Sequence, residues 1–335
     1  MRGVWILGED DDPHTTAVAA KCQQAGAEVL IGSHYCDGRL GAIVHPAGKD
    51  GTSGFRLDAG AQPFDALWNR LKSSTQADMS EQDLFALRER RDFVMSAVAC
   101  FIPFERRLND PWAQELARLK PFQLWLARQV GLEVPKTIVT DGAEDVLSYF
   151  GADESMIYKP VTWLATMQGE VLFTNRIGRE AIAQHAAEIG RAPGIYQAEV
   201  GKACEYRVTI VDDTIFPVRI HSQEHSDTVV DWRRNHAALK YECVTLPGAV
   251  ERALFEIMRR CRLRFGAFDL IERPTGEFVF LEVNPAGNWL WLEDRLDLPI
   301  SDRIVAALLN EPARADKSLR QEADGSAPPS SSRPL

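Results

Sequence analysis

The chain has 335 residues, 45% apolar and 26% charged, with 38 Lys and Arg against 48 Asp and Glu and a net charge of −10. That size and balance suit a globular protein of two or three lobes with a sizeable core. The acidic excess argues against a nucleic-acid binder, which usually carries a basic surplus, yet leaves room for a local Lys/Arg cluster around a small anion.

The chain opens as strand, turn, helix, strand. GVWIL is a short apolar strand. Asp12 and Pro13 suit the cap and first position of a helix running to about Ala25, and Gly26 ends it before the strand EVLIG. The turn GEDDDP is not a Gly-rich dinucleotide fingerprint, and its three consecutive aspartates would repel a pyrophosphate. Residues 37–62 are Gly-rich and resist assignment; FDALWNRL comes after them. Two helical stretches come next, at about Glu81–Phe101 and Pro111–Val130. The segment FVMSAVACFIPF is the most apolar, but it is too short for a bilayer and is broken by Pro103, so it reads as a buried helix.

LEVPKTIVT is an extended entry into a new unit. From Met156 the pattern is strands with short helices: SMIYKPV, EVLFTNRI, GIYQAEV, EYRVTIV and TIFPVRIHSQ. A helix spans about Pro247–Arg264. GAFDLIE and EFVFLEVN form a hairpin around the turn RPTG, and a last helix covers about Ser301–Leu309. The tail ADGSAPPSSSRPL is Pro/Ser-rich and reads as disordered. The six cysteines (Cys22, Cys36, Cys100, Cys204, Cys243 and Cys261) contain no Cys-x-x-Cys pair and read as reduced packing residues of a cytoplasmic protein. The N-terminus has one early Arg and a very short apolar run, so no signal peptide and no membrane partner are expected.

FLEVNPAGNWLWLE raises the sharpest question, because a Glu and an Asn interrupt a strand that apolar residues would pack better. If the hairpin pairs Asp269 with Glu282, alternation puts Asp269, Glu282 and Asn284 on one face and Phe268, Leu270, Leu281 and Val283 on the other. Carboxylates directly opposite repel, so a cation should lie between them. Hard oxygen donors without His or Cys suit Mg²⁺ rather than zinc. The competing reading is a pair of solvated acids on a half-exposed hairpin, and a one-residue slip would separate them. Lys159, at a strand end before Pro160, can present an ammonium to a phosphate or snorkel to the surface; Lys120 carries the same two readings. Glu205 and Arg207 share one face of EYRVTIV, and Arg233 and Arg234 flank Trp232 in a basic stretch.

In this order, Lys120, Lys159, the YQAEV hinge, EYRVTIV, DWRRN, Asp269, Glu282 and Asn284 resemble the ATP-grasp superfamily. Within it, LEVNPAGNWLWLE, together with Ser222, Gln223 and Asp231 to Arg233, resembles the microviridin-type (graspetide) peptide maturases. An early Trp-x-Arg motif of that family corresponds to Trp68 and Arg70. The resemblance implies an α/β fold: an N-terminal α/β pre-ATP-grasp domain (1–112), a central lobe (113–190), a C-terminal lobe with the metal site (191–312) and a disordered tail (313–335). It implies ATP and Mg²⁺ as cofactors. Lys120 and Lys159 would hold phosphates, Gln197, Ala198 and Glu199 would line the adenine hinge, and Glu205 would reach the ribose. Arg207 and Arg233 would be the catalytic cations, and Asp269, Glu282 and Asn284 the metal ligands.

The implied substrate is a ribosomal precursor peptide, leader plus acidic core. Its Asp or Glu side chains become acyl phosphates and close ω-ester or ω-amide rings with Ser/Thr or Lys. A core of that charge calls for a basic groove, with Arg207, Arg219, Arg233 and Arg234 as candidates, and a homodimer is among the expectations. The alternative is an ATP-grasp ligase joining carboxylate and amine on a small molecule or at a protein tail. Three positions depart from the family pattern: Asn288 stands for Gln, Ala198 for Glu, and the loop VTWLATMQGE has a single Gly.

Overall fold

A computed structural model of the chain describes residues 2–32, 40–43, 54–57, 64–71, 80–161, 174–224, 226, 228–229, 231–233, 235 and 239–310. Residues 162–173, which take most of the expected loop VTWLATMQGE and the start of the expected strand EVLFTNRI, Arg234, most of the Gly-rich stretch and residues 311–335 lie outside the described residues.

The N-terminal unit comprises β1 (Gly3–Leu7), α1 (Pro13–Gln24), β2 (Glu28–Ile31), β3 (Leu40–Ile43), β4 (Gly54–Leu57), β5 (Ala66–Asn69), α2 (Glu81–Phe101) and β6 (Arg107–Leu108). Strands β2-β1-β5-β6 form a parallel sheet, and β3 pairs with β4 in a separate antiparallel ribbon. All five β1 residues are buried, as a parallel strand covered by helices on both faces requires. On one face α2 packs Val94, Ala97 and Val98 against Trp5, Leu7 and Leu67. On the other, α1 supplies Val18, Ala19 and Cys22. Asp12 caps α1 as the sequence predicts, accepting from the His14 N–H, with Pro13 opening the helix.

Next come α3 (Pro111–Ala117), α4 (Lys120–Gln129), β7 (Thr137–Thr140), α5 (Ala143–Tyr149), β8 (Met156–Pro160), β9 (Asn175–Ile177), α6 (Arg179–Gln184), α7 (Ala186–Ile189) and β10 (Gly194–Ala198). The single helix expected over 111–130 is two, broken at Arg118 and Leu119. Pro121 is the cause: it has no N–H to give the Ala117 carbonyl, and it is tolerated only in the first turn of a helix. Strands β7-β10-β8-β9 form an antiparallel sheet backed by α5 and α6.

The remainder is β11 (Cys204–Val211), β12 (Thr214–Ile220), β13 (Tyr241–Cys243), α8 (Gly248–Cys261), β14 (Phe265–Glu272), β15 (Phe278–Asn284), α9 (Leu290–Leu296) and α10 (Ile300–Leu309). The sheet order is β13-β12-β11-β14-β15, antiparallel throughout. Helix α8 packs Leu254, Ile257 and Met258 onto Tyr206, Val208, Phe268 and Phe280, and α4 adds Leu124, Leu126 and Ala127 to the same core. Strand β10 completes the central sheet, and Ala117 of α3 and the apolar face of α4 pack into the core of the five-stranded sheet.

The expected pairing of Asp269 with Glu282 is present. The expected alternation beyond it is not. A bulge after that pair sets Leu270 opposite Phe280, so Phe280 joins the core and Leu281 turns to the other face. An extra residue on one strand of an antiparallel pair flips the parity of the residues beyond it, which a strict period of two cannot anticipate.

A polar seam ties the N-terminal sheet to the loop after β15. Arg70, just past β5, is 2% exposed. Its Nε donates to Asp12 Oδ2 at 3.1 Å, its Nη1 to the carbonyls of Ala286 and Gly287, and its Nη2 to Asn288 Oδ1. Its guanidinium also lies 5.2 Å from the Trp289 ring centroid. His14 Nδ1 meets Asp12 Oδ1 at 2.9 Å, and its Nε2 accepts the Trp289 N–H at 3.1 Å, so the ring is neutral with the proton on Nδ1. Asn109 donates to the carbonyls of Phe265 and Pro285. Burial draws the Arg70 pKa down, and Asp12 works against that. Replacing Arg70 with Met strips a buried carboxylate and three loop acceptors of their cation. Urea unfolding should show a loss of about 3–5 kcal/mol.

Candidate functional site

The central sheet and the five-stranded sheet face each other across a cleft of about 930 Å³, counting the solvent at its mouth. β15 brings Glu282 to this cleft, β14 brings Asp269, β8 brings Lys159, and the first turn of α4 brings Lys120. The helix break forced by Pro121 therefore places Lys120 at a helix start that opens on the cleft rather than in mid-helix.

Asp269 is 8% exposed, and burial pushes its pKa up to about 6; the Glu282 charge adds to this, while Arg207 opposes it. Burial works on Glu282 in the same direction but is outweighed by Lys120, Arg233 and Lys159, which hold its carboxyl below the ordinary range. Asp269 Oδ1 lies 3.1 Å from Arg207 Nη1, yet neither atom makes a hydrogen bond. Asn284 ends β15, with Oδ1 accepting the Ala286 N–H at 3.0 Å, and it is exposed rather than recessed. Among the described residues no group of three His, Cys, Asp or Glu gathers as a metal cluster. Two carboxylates and an amide oxygen, one carboxylate oxygen being buried and unpartnered, still fit Mg²⁺, which takes its other ligands from phosphate and water.

The cations are close by. Lys120 Nζ stands 3.8 Å from Glu282 Oε2 and donates to the Pro160 carbonyl at 3.2 Å. Loss of water draws the Lys159 pKa down; Lys120 and Arg233 add to this, and Glu282 opposes it. An ammonium under that strain is eager for an anion. Arg233 donates from Nε and Nη2 to Asp231, at 2.8 and 2.6 Å. Asp231 also accepts the Thr174 N–H at 3.2 Å. Arg207 sits across from Asp269 on β11, with its guanidinium 5.6 Å from the Trp232 ring centroid and its Nε and Nη1 buried without hydrogen-bond partners.

The other end of the cleft is apolar, lined by Pro135, Ile157, Ala198, Val200, Ile271 and Leu281. The bulge earns its place here, because it delivers Leu281 to this wall. The N–H groups of Ala198 and Glu199 are engaged by the carbonyls of Lys136 and Ser155, so a planar base in this slot would meet the strand's carbonyls or Val200. The Glu199 side chain pairs with Arg176 at 2.6 Å. Gln197 is buried away from the cleft wall and donates to Thr137 Oγ1 at 3.0 Å. Glu205 lines the cleft and pairs with Lys202 at 2.7 Å; burial raises its pKa, and Lys202 opposes this.

Of the expected site residues, Lys120, Lys159, Ala198, Glu199, Glu205, Arg233, Asp269 and Glu282 line one cleft. Arg207, Gln197 and Asn284 are not part of its lining: Arg207 sits across from Asp269 on β11, Gln197 turns aside to Thr137, and Asn284 is exposed at the end of β15. Arg219, expected in a basic groove, is on the opposite face of the sheet, donating to Tyr206 Oη at 3.0 Å with Glu242 at 3.5 Å. In EYRVTIV the alternation of Tyr206 against Arg207 foretells this, since Arg219 pairs across from Tyr206. Lys202, which precedes β11 in a short loop, carries no periodic signal and is missed from the sequence. Ser222 and Gln223 shape the turn after β12: the Ser222 carbonyl accepts from Thr228 Oγ1, and Gln223 donates to Ser222 Oγ.

No protein-family model and no curated protein matches the sequence. Solved structures do. The macrocyclase MdnC from Microcystis aeruginosa MRC, bound with precursor peptide MdnA, is 25% identical with a TM-score of 0.78 over 93% of this chain and 100% of that one. An ATP-grasp ligase of Chryseobacterium gregarium, in complex with ADP and a leader and core peptide, is 22% identical with a TM-score of 0.78 over 92% and 96%. The ATP-grasp ligase PsnB, complexed with a precursor variant, Mg and ADP, is 22% identical with a TM-score of 0.74 over 91% and 97%. The α/β fold expected from the sequence is thus the ATP-grasp fold.

The Asp231 carboxylate loses solvation by burial, but the hydrogen bonds and charge of Arg233 outweigh this and hold its pKa at about 2, below its ordinary 3.8. A depressed carboxylate stabilises the fold above its unfolded pKa and loses that contribution as pH falls through the folded value. The shift is worth about 2 kcal/mol at neutral pH. In urea unfolding, the stability gap between the wild-type protein and Asp231→Asn should be widest at pH 7 and narrow as pH approaches 3.

Proposed function

We propose that this chain, an ATP-grasp ligase of the peptide-macrocyclase kind, uses ATP and Mg²⁺ to close rings in a ribosomal precursor peptide. The observation that carries the reading is the convergence of Lys120, Lys159 and Arg233 on Glu282 and Asp269 in one cleft, in a chain similar to MdnC over 93% of its length. A carboxylate does not acylate an alcohol or amine at neutral pH because its oxygen is a poor leaving group. Transfer of the γ-phosphoryl group to an Asp or Glu side chain of the peptide, with ADP leaving, makes an acyl phosphate. A Ser or Thr hydroxyl or a Lys amine of the same peptide then attacks the acyl carbon, loses its proton and expels phosphate.

This chain contributes charge and position rather than a nucleophile. Lys120 and Lys159 bind phosphate oxygens, and Arg233, held by Asp231, steadies the transferring group. Arg207, ion-paired to Asp269 through Nη1 and with no hydrogen bond at Nε, is a charge for an acyl phosphate or an incoming carboxylate. Asp269, Glu282 and Asn284 would hold Mg²⁺, which when bound neutralises charge on the phosphates. The apolar slot by Val200 takes adenine, and Glu205, steadied by Lys202, takes the ribose.

The peptide's leader, its acidic core and a cytoplasmic setting are parts of the same proposal. So is a homodimer, which the exposed Trp112, Leu116, Leu119 and Trp125 support. Among the described residues no helix is long and apolar enough to cross a membrane.

Co-expression with a Thr/Asp/Glu-rich peptide encoded beside the gene should give products lighter by one water per ring in mass spectrometry, with ADP and not AMP formed. Glu282→Gln should keep the fold and lower the rate by about 10²-fold or more. Near-normal turnover in that variant, or AMP as product, would sink the reading. Light scattering that returns a monomer at micromolar concentration would remove the dimer alone.

A further inference from the structure

Strand β15 is the outer strand of its sheet; among the described residues its outer edge meets only an isolated bridge between Val279 and Glu133, whose carbonyl accepts the Phe280 N–H at 2.8 Å. The edge runs on past Val283, between Glu282 and Asn284. A buried side chain completes it: Gln123 of α4, which is 2% exposed. Gln123 Nε2 donates to the Val283 carbonyl at 2.8 Å, and Gln123 Oε1 accepts the Val283 N–H at 2.9 Å. The amide thus replaces a neighbouring strand at this one residue. The same Nε2 donates to the Ala117 carbonyl at 2.5 Å. That is the acceptor which Pro121, lacking an N–H, leaves open at the α3–α4 break. Lys120 lies three residues earlier on the same helix and so on the same face as Gln123.

We infer that Gln123 is the positioning residue of the metal half of the site: by clamping Val283 it fixes the spacing and direction of Glu282 and Asn284, and it sets both against Lys120. A backbone held by two opposed hydrogen bonds resists both twist and slide, where a single bond would leave one of them free. Glu282 and Asn284 project to one face from either side of the clamped residue, so a small rotation at Val283 moves both donors together. Outer partners of this kind govern metal affinity without touching the ion.

Gln123 acts in this way only if Asp269, Glu282 and Asn284 hold the ion, as proposed above. The test is therefore Mn²⁺ binding to the full-length protein saturated with ADP, read by electron paramagnetic resonance, with ADP affinity measured in parallel without metal. The unmutated protein should bind Mn²⁺, and Glu282→Gln should not. Gln123→Met, which keeps volume but loses all three bonds, should weaken Mn²⁺ binding by about 10- to 100-fold while ADP binding changes little. Gln123→Asn, polar but too short to reach both Val283 groups, should weaken it in the same direction. Mn²⁺ affinity unchanged in folded Gln123 variants overturns the inference and leaves the metal reading standing. Equal loss of ADP and Mn²⁺ binding in both variants also overturns it, because that is how a merely structural residue behaves. Failure of the unmutated protein to bind Mn²⁺ with ADP, or equal binding by Glu282→Gln, removes the metal reading and this inference together.

Discussion

Two carboxylates facing each other across a recessed hairpin set the terms for the rest of the molecule. Asp269 and Glu282 pair across β14 and β15, where like charges cost stability and water is scarce. Nothing in packing favours that arrangement over two apolar residues. The surroundings are built to tolerate it: Lys120, Lys159, Arg207 and Arg233 all bear on Glu282, and the balance leaves Asp269 with a raised pKa and Glu282 with a lowered one. Two of those cations are themselves held in place, Lys120 by the Pro160 carbonyl and Arg233 by Asp231. The network is thus a set of charges fixed before any ligand arrives, the condition under which electrostatic stabilisation of phosphoryl transfer is most effective.

The N-terminal sheet is part of that fixing. It contributes no residue to the cleft, yet Arg70, His14 and Asn109 hold the loop from Pro285 to Trp289 that leaves the metal strand. Gly287 shows how tight the seam is. A Cβ there would come within 2.4 Å of the Ala267 Cβ, on the strand that pairs with Asn284. Trp289, fully buried, packs on Trp68 and Phe265 and donates through Nε1 to Ser301 Oγ. The signature GNW thus serves the seam: its glycine permits close approach, its asparagine accepts from Arg70 and its tryptophan fills the joint. Asn288, shorter than the Gln of the resembled signature, makes the Arg70 contact at 2.5 Å, so the shorter side chain keeps the link.

Much of this was legible in the sequence because it rests on local chemistry. Asp12 before Pro13 foretells a helix start, the turn RPTG foretells the hairpin, and Asp269 opposite Glu282 comes from counting outward from that turn. The features that stayed hidden depend on non-local matters. The bulge that exchanges Leu281 for Phe280 has no signature in FLEVN. Arg219 looks like a site residue until its partner strand is known. Gln123 looks ordinary in its helix and acquires meaning only when a residue 160 positions away is brought beside it.

The same network leaves the empty cleft with unmet interactions. A Lys with a depressed pKa, an Asp with a raised one and a buried Arg whose Nε has no hydrogen bond all represent interactions the fold forgoes. Such deficits recur where a protein gives up stability to hold charges ready for a ligand. Here they are complementary: an anion would satisfy Lys159 and Arg207, and a divalent cation would satisfy Asp269 and Glu282. A nucleotide with its metal carries both signs in one body. Binding either alone relieves one deficit and leaves the other uncompensated, so the two should bind in a mutually reinforcing way, and reciprocity requires each to strengthen the other by the same factor.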